Sequence, residues 1–166
     1  MDARTITRGA LAGMAGGMMM AMFAMLGMWL DGQPETGFWT PLNLIAHTVW
    51  RGAPLDAEFS GGALVLGGVI HMMMSMGLGA AVAVIVSKIS QLGRSLGSRV
   101  LAGVMIAMMV WIAMDFIIWP PIDSAAADAF TTWIFAVSHA VFGMTAPLAL
   151  YALSATAGTA PQGSHA

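Results

Sequence analysis

Residues 62–87 read GALVLGGVIHMMMSMGLGAAVAVIVS, a run with no Lys, Arg, Asp or Glu and one histidine, His71. A helix needs about 20 apolar residues to cross a bilayer, and this run is longer than that. Comparable stretches lie at Gly9–Leu30, Val100–Trp119 and Ala129–Leu153. Composition agrees: of 166 residues 58% are apolar and 8% charged, and the mean hydropathy is +0.81. Soluble domains are about a quarter charged. In lipid every backbone polar group needs an internal partner, which restricts spans to helices and closed barrels, and the polar–apolar alternation of a barrel is absent here. The expected fold is all-α: an integral-membrane four-helix bundle in one domain, residues 1–153, with an external segment 31–61 and a disordered tail 154–166 containing an idle His165.

Charge gives the orientation. Arg4 and Arg8 precede the first run, and Lys88, Arg94 and Arg99 separate the second from the third. The other side carries Arg51 against Asp31, Glu35, Asp56, Glu58, Asp123 and Asp128. Basic residues concentrate on the cytoplasmic side, so both termini and the 88–99 connection are expected there. Trp29, Trp39, Trp50, Trp119 and Trp133 fall near the opposite interface, as an aromatic belt does. The first run is longer than a signal-peptide core and ends Gly27-Met28-Trp29-Leu30-Asp31 without a small-residue cleavage site, so it reads as a retained anchor. In the external segment Gly32, Pro34 and Gly37 mark irregular chain. Thr40 as cap, Pro41, and apolar Leu42, Ile45, Ala46 and Val49 at helical spacing predict a short helix up to Trp50, lying on the membrane surface.

The two halves resemble each other. Leu11-Ala12-Gly13-Met14 opens the first span and Leu101-Ala102-Gly103-Val104 the third, while His71 and His139 each precede a small residue, Ser75 or Gly143, by four positions. This register predicts two parallel-repeat helical hairpins related by an axis along the membrane normal. Gly9, Gly13, Gly16, Gly17, Gly67, Gly68, Gly77 and Gly79 suit close helix approach, and Pro147 is expected to bend the fourth span.

Ionisable groups inside spans are costly and become functional candidates for that reason. They are His71, Asp115 and His139, with His47 above them in the external segment. If the repeat holds, His71 and His139 face each other and are candidate cofactor ligands, for b-type haem or for copper. Methionine is abundant, 17 residues, and Met74 lies one helical turn from His71. Thioether with imidazole suits Cu(I), so the candidate metal set is His71, His139, Asp115, Met74 and His47. The plainer alternative is that each histidine bonds a carbonyl or hydroxyl of a neighbouring helix, that Asp115 is neutral or held by a donor, and that most methionines are packing.

Other chemistries are excluded or poorly supported. The chain has no cysteine, hence no disulfide or thiolate site, and its net charge of −2 argues against a nucleic-acid partner. Phosphate-loop, nucleophile-elbow and zinc-protease motifs are missing. Ser138 beside His139 gives weak hydrolase evidence, since adjacent helical positions point apart. A transporter would need polar groups through the whole membrane, and the cytoplasmic halves of the spans are apolar or small. The patches Gly37-Phe38-Trp39-Thr40-Pro41-Leu42-Asn43-Leu44-Ile45-Ala46 and His139-Ala140-Val141-Phe142-Gly143 resemble segments of small bacterial four-span inner-membrane proteins with no function attached. That resemblance implies a bacterial cytoplasmic membrane and four spans. The expectation is a non-catalytic accessory or cofactor-holding subunit, with lipid, other membrane subunits or a second copy as partners. The alternative is a redox or metal-handling protein using His71 and His139.

The charge pattern makes a direct prediction. Reporter fusions after Arg94 and at the C-terminus should read cytoplasmic and one after Glu58 external; a cytoplasmic signal at Glu58 would overturn the topology.

Overall fold

Asp2, Ser60 and Ser95 each accept a backbone N–H from the turn that follows, and each starts a long helix. The computed structural model describes residues 2–89, 92 and 94–158. The helices are α1 (Ala3–Leu30), α2 (Thr40–His47), α3 (Gly61–Lys88), α4 (Leu96–Ala113), a π-helical turn (Met114–Ile118), α5 (Trp119–Ile122), α6 (Ser124–Ala129) and α7 (Thr132–Gly158). Four are long and apolar enough to cross a membrane: α1, α3, α7 and the continuous run Leu96–Ile122. The chain is thus a multi-pass membrane protein with short helices α2, α5 and α6 capping one end. The fourth span runs further than expected. Residues 154–158 are helical rather than a tail, because Ala152 and Ala155 favour helix and the Ser154 hydroxyl bonds back to the Leu150 carbonyl at 2.8 Å. The remainder of the expected tail, with His165, lies outside the described residues.

Two close backbone crossings hold the long helices in pairs. A Cβ on Gly13 of α1 would fall on the Ser75 carbonyl of α3, and one on Gly79 would fall on Gly13. On the other pair, a Cβ on Gly103 of α4 would fall on the Gly143 carbonyl of α7, and one on Gly143 would stand 2.6 Å from Val104 Cα. Pro147 explains the second crossing. It offers no N–H to the Gly143 carbonyl four residues earlier, and that carbonyl faces Gly103 instead. Gly16 then joins α1 to α7, since a Cβ there would meet the Phe142 ring at 3.0 Å. The helices α3 and α4 meet mainly near their connection, where Val82 and Val86 pack on Ala102. Toward the capped end they part.

The π-turn also follows from proline. Pro120 and Pro121 cannot donate to the Phe116 and Ile117 carbonyls, and the Trp119 N–H reaches back five residues to Met114. The shifted register turns Trp119 inward to 4% exposure, where its Nε1 donates to Thr48 Oγ1 at 3.0 Å. Trp119 is therefore core, packed on Phe130 and Phe135, and does not belong to the aromatic belt. Trp29, Trp50 and Trp133 are exposed as expected. The structure corrects α2 as well. It begins at Thr40 without a side-chain cap, and seven of its residues from Thr40 to His47 are buried. The reason is polar and steric: Asn43 donates to the carbonyls of Asp56 and Glu58 at 3.2 and 2.8 Å, and Gly67 of α3 admits the Leu42 carbonyl. The helix is a plug in the bundle mouth.

Gly79→Ala should destabilise the protein by about 1–3 kcal/mol through overpacking, whereas Gly77→Ala, with nothing within 4 Å of its added Cβ, should be neutral or slightly stabilising. Thermal unfolding in detergent compares the two; equal effects would show that the crossing does not hold the pair.

Candidate functional site

Between the cap and the middle of the bundle lies a cavity of about 190 Å³. Its walls are apolar, with Leu42 and Ile45 of α2, Ile70 of α3, Met114 of the π-turn, and Phe135 and Phe142 of α7. His71, Ser75, His139 and Thr48 supply its polar groups. Met74 and Ile118 line it from opposite sides of the parting between α3 and α4, and both are about half exposed. The cavity therefore opens sideways, toward lipid.

Each imidazole is fixed by one backbone carbonyl. His71 Nε2 lies 2.9 Å from the Gly17 carbonyl of α1, and His139 Nδ1 lies 2.9 Å from the Phe135 carbonyl of its own helix. A carbonyl oxygen only accepts, so these nitrogens carry the protons and donate. Gly17 makes the first bond attainable, because a Cβ there would collide with the Ser75 side chain one turn from His71 and push the helices apart. His139 also stands edge-on to the Phe135 ring, with centroids 4.6 Å apart. In the neutral rings the remaining nitrogens, His71 Nδ1 and His139 Nε2, are acceptors without a hydrogen bond among the described residues. The site thus offers two basic lone pairs within an apolar, ring-sized space.

The residues expected to act together are divided. His71, His139 and Met74 line the one cavity, whereas Asp115 and His47 do not. Asp115 sits half-buried in the π-turn, off the cavity wall that Met114 lines, and makes no hydrogen bond or ion pair among the described residues. Met14, Met18 and Met22 face outward as lipid contacts, and Met144 is 43% exposed and off the cavity. Among the described residues no three His, Asp or Glu side chains come together to hold a metal. A cavity of about 150 Å³ holds benzene; a haem macrocycle is several times larger and does not fit the 190 Å³ here without the helices moving. Ser138 is no nucleophile for His139, since its hydroxyl donates to the Ile134 carbonyl at 2.6 Å.

His47 belongs to a second constellation, in the cap. Its Nδ1 bonds Asp123 Oδ2 at 2.6 Å, Arg51 pairs with the same oxygen, and Arg51 Nη2 donates to the Ile122 carbonyl at 2.6 Å. Asp123 Oδ1 accepts the Ala126 N–H at 3.2 Å and caps α6. These bonds tie the end of α2 to α5 and α6, closing the cavity from outside. Sequence reasoning missed the clasp because its partners are more than 70 residues apart in the chain. The available signal was Arg51, the only basic residue among the acids of that side.

Burial alone would raise the Asp123 carboxyl, but the bonds from His47 and the Ala126 N–H and the positive charges of His47 and Arg51 hold it below the ordinary value of 3.8. A depressed folded-state value contributes stability that is present above 3.8 and lost as pH falls through the folded value. Asp123→Asn should therefore cost about 2 kcal/mol at neutral pH, with the gap to wild type closing in unfolding curves below pH 3.8. A gap that persists unchanged in acid would remove the charge from the account.

No family model, no curated protein and no solved structure matches this chain.

Proposed function

We propose that the chain is a non-catalytic, ligand-holding subunit of a larger assembly in a bacterial cytoplasmic membrane, with its basic end in the cytoplasm and its bound group between His71 and His139. One observation carries the reading: two imidazoles, each oriented by a carbonyl, line one apolar cavity that opens toward lipid. Fixing one ring nitrogen with a carbonyl sets the tautomer and the direction of the other, as it does for ligand-binding histidines in general. Two acceptors call for a ligand that brings donors. The cavity suits a single apolar ring bearing O–H or N–H groups, entering between α3 and α4. The expected arrangement of two parallel-repeat hairpins gains support from the matching crossings of Gly13 on Ser75 and Gly103 on Gly143. The unequal packing of α1 with α7 and of α3 with α4 weighs against an intact two-fold axis.

Copper is the second reading, favoured by Met74 on the same cavity as the two free ring nitrogens. Imidazole nitrogens with a thioether suit Cu(I).

The test uses the full chain in detergent with para-fluorophenol as probe, followed by fluorine NMR, and fluorobenzene as the donor-free control. Para-fluorophenol should bind more tightly by roughly fivefold or more, the worth of one hydrogen bond, and His71→Phe or His139→Phe should remove the preference. Metal analysis after Cu(I) loading should separate the second reading, with retention lost in Met74→Leu. A protein that takes up neither probe nor copper overturns both.

A further inference from the structure

The opposite end of the bundle holds another cavity, of about 400 Å³. Arg8 of α1, Ser87 of α3, Arg94 of the connection, Arg99 of α4, and Leu150 and Ser154 of α7 line it. Among the described residues, the four long helices and the connection bring three guanidinium groups and no carboxylate to it. Among the described residues the acidic side chain of this end is that of Asp2, which caps α1 at the Arg4 N–H. Arg8 and Arg94 form no ion pair among the described residues. The cavity lies where α3 ends at Lys88 and α4 begins at Leu96, at the ends of two of the four candidate spans. Its floor is apolar, through Leu150 and Val86.

The like charges of Arg8 and Arg94 on one space repel unless an anion joins them. Guanidinium is planar, permanently charged and matched to the paired oxygens of a phosphate, and the serine hydroxyls add donors of the same reach. Basic pockets between spans at this level recognise phosphorylated head groups. We propose that this cavity binds an anionic phosphate group, carried by a phospholipid at head-group level or free in solution. The site is independent of the imidazole cavity, which lies at the capped end.

Native mass spectrometry of the full chain in neutral detergent tests it, with phosphatidylglycerol, zwitterionic phosphatidylcholine and inorganic phosphate as probes. Phosphatidylglycerol should bind roughly tenfold more tightly than phosphatidylcholine, and Arg8→Gln or Arg94→Gln should each weaken it roughly fivefold. Arg94→Lys keeps the charge but not the planar fork and should bind more tightly than Arg94→Gln and less tightly than wild type, which separates loss of the site from loss of the fold. Arg4, exposed at the same end and outside the cavity, is the control, and Arg4→Gln should change nothing. Displacement of the lipid by inorganic phosphate identifies the phosphate itself as the ligand; lipid binding that phosphate does not displace identifies the anchored head group. Equal binding of both lipids with no effect of phosphate, or equal losses from Arg4→Gln and Arg8→Gln, overturns the proposal.

Discussion

Lipid tails are as apolar as leucine, so burying side chains does little to hold helices together in a bilayer, and close backbone approach must do it. Everything here hangs on the two glycine crossings, Gly13 with Gly79 and Gly103 with Gly143. They bring α1 against α3 and α4 against α7 at distances no side chain permits. Gly16 then joins the pairs on one side through the Phe142 ring. Nothing comparable joins α3 to α4, and the parting between them is what leaves room for a cavity. The small residues that make the bundle tight therefore also decide where it is open.

Proline shapes the capped end. The pair Pro120-Pro121 forces the π-turn, the turn rotates Trp119 into the core, and Trp119 finds Thr48 at the end of α2. With α2 so placed, His47 and Arg51 reach Asp123. The cap is thus a chain of consequences from two missing N–H groups. Trp111 Nε1 is buried with no hydrogen-bond partner among the described residues.

The four spans were legible because hydropathy over twenty residues is a sum, insensitive to detail. His71 and His139 were legible as candidates because an ionisable group in such a run stands out. Their hydrogen bonds were not, since the Gly17 carbonyl is one of many on α1 and only the Gly17–Ser75 contact selects it. Trp119 was misplaced because a constant helical pitch fails across a π-turn, and Asp115 was read from its depth alone, which does not say which side of the helix it takes. The burial of α2 was hidden because Asn43 and His47 read as surface residues until their partners, Asp56, Glu58 and Asp123, are brought next to them. Periodicity sees one element at a time, and these contacts lie between elements.

The freed carbonyl of Gly143 has a consequence for how this sequence can change over generations. Pro147 withholds its intrahelical partner, and Gly103 both covers it and makes room for the proline ring. Any larger residue at position 103 would strike that carbonyl and the ring together. Replacing Pro147 first restores a donor inside α7 and withdraws the ring, after which position 103 is less constrained. The two sites, on different helices, form a lineage-ordered pair in which drift at one opens the path for the other, and among homologues they are expected to vary jointly or not at all.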